Sequence, residues 1–320
     1  YGRAPVAPLF AAGIRRELTM PKKQRQFANS PAKCEQTRRQ PLAYSFLQAK
    51  YFPPRRQTLV CALEKAMKIF QRLLASIGTL TLAACVSATP IVIPSQASWH
   101  WQLSGKLKTP ERQVYDIDLF DTSTTTITNL KGQGRIVVCY FSAGSWEDWR
   151  SDAAQYPKEA LGAQLDGWPG ERWLDIRHPA VRTLMAKRIR LAAEKGCDAV
   201  EPDNVDGYSN GNGLGLSEAN QIDYNRWLSQ QAHEHNLAIA LKNAVELIPA
   251  LVDDFDFALN ESCYAYKECE AYRLFRQQGK AVFIAEYRSY NSNMCSKASA
   301  SGYQLQFFKR ALNAVGSPCK

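Results

Sequence analysis

The chain has 320 residues, enough for one large domain or two modest ones, and carries a formal net charge of +10. Residues 1–66 hold 13 of the 40 Lys and Arg but only 3 of the 30 Asp and Glu, so the remainder holds 27 of each and is neutral. The excess charge therefore lies outside the folded part, which excludes a basic nucleic-acid-binding domain there.

Residues 1–66 run through Pro, Arg and Gln without a sustained period. They are expected to be an upstream segment that is not native or has no structure, with Met67 as the true start. Met67-Lys-Ile-Phe-Gln-Arg72 opens a short basic stretch, and the apolar run Leu73 to Ala84 follows it. A basic start, an apolar centre and small residues at a cleavage point predict an export signal over residues 67–84. The run is too short for a membrane-spanning helix, which needs about 20 apolar residues. Its ending, Leu82-Ala-Ala-Cys85, resembles the lipobox of bacterial lipoproteins, which makes Cys85 the expected lipid site and mature N-terminus. A plain secretory signal is the alternative. Val86, not Asp, follows Cys85, so in a two-membrane bacterium the outer membrane is the expected address. Residues 85–98 read as a Ser/Thr/Pro tether.

From Trp99 short apolar runs alternate with helical stretches, and residues 99–320 are taken as one domain. The predicted strands are His100–Leu103, Val114–Leu119, Arg135–Phe141, Arg172–Ile176, Asp198–Pro202, Ala238–Leu241, Phe255–Leu259 and Ala281–Ala285. Between them, Pro179–Lys195 has apolar residues at helical spacing and Gly196 as its stop. Ser217–Asn236 and Ala271–Gln278 are the other predicted helices. Strands alternating with helices argue for a parallel sheet covered on both faces, and eight of them suit a (β/α)8 TIM barrel. An open doubly wound sheet is the competing fold. No G-x-G-x-x-G follows the first strand and no phosphate-binding loop motif occurs.

Six Cys lie beyond Cys85: 139, 197, 263, 269, 295 and 319. An even number in an exported chain predicts disulfides, although six Cys allow 15 pairings. Nearness in sequence suggests Cys263 with Cys269 and Cys295 with Cys319. No CxxC occurs, and His100, His178, His233 and His235 lack zinc spacing. The run Asp206 to Gly213 begins like a calcium loop, but Ser217 stands where its closing Glu belongs. Neither metal nor cofactor is expected.

In a barrel the reacting groups sit at the C-terminal ends of strands. Here several strand ends are polar: Asp116, Asp118 and Asp121; Glu201, Asp203 and Asn204; Lys242 and Asn243; Asn260 and Glu261; Glu286, Tyr287 and Arg288. Any one acid could cap a helix or pair with a cation. Acids on four strands together predict a mouth lined by carboxylates. Two carboxylates facing each other across a cleft are the equipment of glycoside hydrolysis. All seven Trp, including Trp146, lie beyond residue 98, and their faces are suited to sugar rings. Ser142-Ala-Gly-Ser145 lacks the G-x-S-x-G pattern of a serine nucleophile.

The ordered set Tyr115-Asp-Ile-Asp-Leu-Phe-Asp121, Cys139-Tyr-Phe-Ser-Ala-Gly-Ser145, Gly167-Trp-Pro-Gly170, Trp173-Leu-Asp-Ile-Arg177, Glu201-Pro-Asp-Asn-Val-Asp-Gly-Tyr208, Leu241-Lys-Asn243 and Asn260-Glu261 resembles glycoside hydrolase family 114. These are the endo-α-1,4-polygalactosaminidases, which have TIM-barrel folds. The resemblance spans about Trp99 to Arg288. It implies a retaining endo-hydrolase acting on galactosamine and N-acetylgalactosamine polymers of the kind found in biofilm matrices. It also implies Asp203 as nucleophile and Glu261 as general acid/base, with Asp206 and Glu286 as rivals. Asp118, Tyr140, Trp146, Asn204, Asp206, Tyr208, Lys242, Asn243 and Glu286 would line the subsites. The alternatives are a surface lipoprotein that binds polysaccharide without cutting it, and a glycosidase acting on another α-linked glycan.

Overall fold

The structure, a computed structural model, describes residues 89–319. The expected export signal, Cys85 and the upstream segment lie outside these residues.

Eight short strands form the parallel sheet: β1 (Trp99–Gln102), β2 (Val114–Asp118), β3 (Ile136–Ser142), β7 (Ala199–Asp203), β8 (Ala238–Lys242), β9 (Phe257–Glu261), β10 (Ala281–Glu286) and β11 (Gln304–Phe307). They pair in that order, every neighbour parallel. At the seam β11 meets β1 through side chains. The Trp99 indole donates to the carbonyl of Gln304 at 2.9 Å, and the Gln306 amide donates to the carbonyl of Trp99 at 2.5 Å. The strands thus curl into the expected (β/α)8 barrel. A two-residue strand β12 (Ser317–Pro318) runs antiparallel to β11.

Two sequence expectations are corrected. The predicted strand Arg172–Ile176 is no barrel stave: Glu171–Leu174 (β6) is the centre of a small antiparallel sheet with β4 (Ser145–Glu147) and β5 (Leu161–Gln164). Its solvent-facing Arg172 breaks the double-sided burial that a barrel strand requires. The eighth stave is instead β11, whose alternating Gln-Leu-Gln-Phe lacks an apolar run because both Gln side chains hydrogen-bond across the seam. The segment Glu201–Tyr208 therefore leaves the fourth stave, and Glu261 ends the sixth.

Helices cover the outside. Pro179–Lys195 forms as predicted, capped by His178 and stopped by left-handed Gly196. Glu218–Glu234 begins at a capping box of Ser217 and Asn220. Thr124–Gly132 and Ser292–Ser301, both poor in large apolar residues, are additional. The predicted helix Ala271–Gln278 is a 3-10 turn, Cys269–Tyr272, followed by Arg273–Gln277.

Strand side chains alternate between two cores. Trp99, Trp101, Val114, Val138, Ala199, Ala238, Ala240, Phe257, Leu259, Phe283 and Ala285 fill the barrel interior. Tyr115, Ile117, Cys139, Phe141, Val200, Ile239, Leu241, Ala258, Val282 and Ile284 face the helices. The interior parity continues upward through Asp116, Tyr140, Glu201, Asp203, Lys242, Glu261 and Tyr287. The strand periodicity thus decides which polar residues reach the mouth.

Cys263 bonds Cys269 and Cys295 bonds Cys319, as nearness in sequence suggests. Cys139 on β3 bonds Cys197 in the turn before β7. The closed loops span 58, 24 and 6 residues. Chain entropy then ranks their contributions at about 4, 3 and 2 kcal/mol. Replacing each pair by Ala and following denaturant unfolding should give losses in that order. Equal losses for Cys139–Cys197 and Cys263–Cys269 would show that loop closure is not their source.

Candidate active site

The polar residues of the interior parity meet at the C-terminal mouth of the barrel, beneath a cleft of about 490 Å³. At its floor the Lys242 ammonium, 1 % exposed, lies 2.7 Å from Glu201 Oε1, 3.3 Å from Asp203 Oδ1 and 3.2 Å from Glu261 Oε2. The Trp101 ring faces it at 4.8 Å, and the Trp101 indole donates to Glu201 Oε2 at 3.0 Å. Burial alone would strip Lys242 of its proton, but the three carboxylates reverse this and hold its pKa well above the usual lysine value.

Asp116 sits against Glu201 in the same dry layer. Burial, then the Glu201 charge, pushes the Asp116 carboxyl far above the carboxylate range, so it stays neutral and hydrogen-bonds Glu201. Burial also raises Glu201, with Lys242 opposing. Asp116 and Glu201 are thus foundations below the cleft rather than parts of its lining.

The two carboxylates singled out in the sequence both open to the cleft. Asp203 is fixed by three donors: Lys242, the Tyr140 hydroxyl at 3.2 Å and the Asn204 backbone N–H at 2.7 Å. Glu261 takes hydrogen bonds from the Tyr287 hydroxyl and, at 3.5 Å, from the Asn243 amide. Burial pushes Glu261 up, but Lys242, Tyr287 and Asn243 together outweigh it and bring the carboxyl below its ordinary value.

A backbone device recurs beside these groups. Asn204, Asn243 and Ser262 have φ of 60°, 47° and 70°, each directly after Asp203, Lys242 or Glu261. Left-handed residues end the strand abruptly, so the preceding side chain stays aimed at the axis while the chain turns outward. At Asp203 the turn is clamped: the N–H groups of Ala143 and Gly144 both donate to its carbonyl. A Cβ on Gly144 would stand 1.7 Å from the Asn204 carbonyl oxygen, which restricts that position to glycine.

Of the other residues proposed from sequence, Tyr140, Asn204, Asp206 and Asn243 line the cleft. The Asn204 amide is tied to Ser142 and Ser145. Asp206 is pushed up to about 6 by burial and by the Asp203 charge. Four lie elsewhere. Asp118 is bound by both terminal nitrogens of Arg150, at 3.0 and 2.7 Å, and by two backbone N–H groups. Glu286 falls on the outward parity, where it accepts from the Tyr264 N–H at 2.8 Å. Trp146 donates to Ala153 within the small sheet's packing. Tyr208 packs on the outer core beside α-helix Glu218–Glu234. The strand alternation could have separated Tyr287 from Glu286. The inserted sheet and its loop supply what sequence reasoning missed: Asp166 and Glu171 line one arm of the cleft together with Trp168 and Trp173. Burial raises Glu171 to about 7, partly offset by the Ser145 hydroxyl at 2.7 Å.

A strand-end carboxylate pair in an aromatic-walled cleft is glycosidase equipment, and the model of glycoside-hydrolase family GH114 matches residues 81–320. The chain belongs to that family. The enzyme is similar to Aspergillus fumigatus Ega3, solved in complex with galactosamine, at 37% identity and TM-score 0.69, covering 76% of this chain and 100% of that one. The glycoside hydrolase domain of PelA from Pseudomonas aeruginosa shares the fold at 15% identity and TM-score 0.55, over 68% of this chain and 97% of that one. An uncharacterized protein of Deinococcus radiodurans is 28% identical over 71% of this chain and 87% of its own length.

The floor of the enzyme's cleft makes a stability prediction. Lys242→Met leaves Glu201 buried without its counter-charge and should cost about 3–5 kcal/mol. Adding Glu201→Gln should recover at least about 1 kcal/mol, read as non-additivity in a double-mutant cycle by urea unfolding. Strict additivity would mean that the two charges are not coupled.

Proposed function

We propose that the enzyme is an endo-acting hydrolase of α-1,4-linked galactosamine and N-acetylgalactosamine polysaccharide, working with retention through Asp203 and Glu261. The observation that carries this reading is their shared ammonium. Asp203 Oδ1 and Glu261 Oε2 lie 3.3 and 3.2 Å from one nitrogen, so they can be no more than about 6.5 Å apart. Retaining enzymes hold their carboxyl groups about 5–5.5 Å apart, and inverting ones about 6.5–9.5 Å, with room for a water between.

In this reading Asp203 attacks the anomeric carbon while Glu261, held below its ordinary pKa by Lys242 and Tyr287, acts through its minor protonated form and gives that proton to the departing glycosidic oxygen. The resulting glycosyl ester is then cleaved by a water whose proton returns to Glu261. The cleft also supports a cationic substrate. Asp166, Glu171, Asp203, Asp206 and Glu261 line it, with aromatic faces from Trp101, Trp168, Trp173 and Tyr266. An ammonium seated near Asp206 or Glu171 favours their ionised forms and displaces the protons that burial retains. Likeness to Ega3 in its complex with galactosamine supports the same choice of sugar. Three disulfides agree with export from a reducing cytoplasm, and attachment through a lipid on Cys85 completes the proposal.

A panel of purified glycans with reducing-end detection tests the substrate: polygalactosamine should be cut internally. Binding without new reducing ends would favour a non-catalytic role, and cutting of another α-glycan alone would reassign the substrate. Asp203→Asn and Glu261→Gln should each lower the rate at least about a thousandfold while the protein stays folded. The first product seen by proton NMR should have the α configuration.

The roles within the pair are separable by pH. Tyr287 hydrogen-bonds Glu261 and helps lower it. Tyr287→Phe should therefore raise the Glu261 pKa. If Glu261 is the acid, the basic limb of the kcat/KM profile moves to higher pH. If Glu261 is the nucleophile, the acidic limb moves up instead and the assignment is reversed.

A further inference from the structure

The cleft does not end at the wall formed by Tyr287 and Arg310. Behind the same two side chains lies a second hollow of about 540 Å³, and both residues line both spaces. The hollow differs from the cleft in charge. Arg288, Lys309 and Arg310 line it, and no Asp or Glu does. All three cations are exposed. The Arg310 guanidinium lies over the Tyr287 ring at 5.1 Å, which holds it at the boundary between the two spaces. Tyr290, 45 % exposed, leans on Phe307 at 5.5 Å and offers a free aromatic face beside exposed Val315.

The strand order sets this basic hollow against the acidic arm. The acidic arm belongs to the insertion between the third and fourth staves, and the basic hollow follows the seventh and eighth. Asp203, Lys242 and Glu261 stand between them. A glycan chain laid across the mouth thus meets carboxylates on one side of the cut and cations on the other.

Resting on the proposed galactosamine-polymer activity, we propose that the hollow lined by Arg288, Lys309, Arg310 and Tyr290 is an outer subsite for an N-acetylated, uncharged hexosamine. A free 2-ammonium there faces three like charges, and the carboxylate paired with Arg288, Glu286 at 3.5 Å, is buried and does not line the hollow. An acetamide presents instead a carbonyl that Lys and Arg donors can bond and a methyl group that can lie on Tyr290. The opposite arm, with Asp166 and Glu171, takes the charged units. The enzyme then cuts where deacetylated and acetylated stretches adjoin, and polarity of the cleft decides which product keeps the acetyl groups.

The test is digestion of a partially N-acetylated α-1,4-galactosamine polymer, with product oligosaccharides sequenced by mass spectrometry. The expected result is N-acetyl enrichment of about fivefold or more on one fixed side of the cut in low salt. It should shrink in about 1 M salt, where exposed charges are screened. A Lys309→Glu/Arg310→Glu variant should lose the enrichment and raise the rate on fully deacetylated polymer relative to the mixed polymer by about tenfold. Acetyl groups distributed about the cuts as in the starting polymer, or a bias unchanged in the double variant, overturn the subsite while leaving the proposed activity standing. Failure to cut any galactosamine polymer overturns both.

Discussion

The ammonium of Lys242 is sealed from bulk solvent, and an unpaired charge in such a place is untenable. It is stable only because Glu201, Asp203 and Glu261 converge on it from two other strands, with Trp101 closing the remaining side. Those oxygens arrive at one point only when β7, β8 and β9 hold their relative register. A slip of one residue would turn each of these side chains to the helix face. The same ammonium sets the distance between the two cleft carboxylates and biases Glu261 toward its ionised form. Asp116 completes the arrangement by remaining neutral, since a fourth negative charge in that layer would have no partner.

Around this centre the fold divides its labour. The lower barrel is dry and aromatic, with Trp99 stacked on Phe283 at 4.9 Å. The middle layer is ionic but sealed. Only the top layer meets solvent, and its side chains are held by donors from neighbouring strands rather than from mobile loops. Asp203 depends on Tyr140 from β3, and Glu261 on Asn243 following β8 and Tyr287 following β10. Each cleft carboxylate is therefore positioned by the staves beside it.

Much of this was legible in the sequence. Seven of the staves were legible as short, largely apolar runs because burial on both faces leaves few polar residues within them. Asp203, Asn204, Asn243 and Glu261 stood out because strand ends in a barrel converge, whereas Tyr140 and Asp206 came only from the family resemblance. What escaped has physical causes. Gln304–Phe307 carries a half-buried Gln304 and a buried Gln306 that mimic a surface strand. Glu171–Leu174 is apolar enough to pass for a stave, yet exposes Arg172. Asp118 and Glu286 were counted as mouth acids because they stand at strand ends. The first is claimed by Arg150 and the second has the wrong parity, which alternation along β10 could have told. The acidic arm was invisible because an inserted sheet obeys no barrel rule.

The left-handed residues after Asp203, Lys242 and Glu261 have an implication for how such a barrel can diversify. Each costs of order 1–2 kcal/mol for a non-glycine residue, less for Asn. The cost falls on the junction itself and is met by the strands beneath. Direction of the outgoing chain is consequently fixed at the junction, before any loop sequence begins. Loops beyond Asn204, Asn243 and Ser262 can lengthen or shorten without re-aiming the groups behind them.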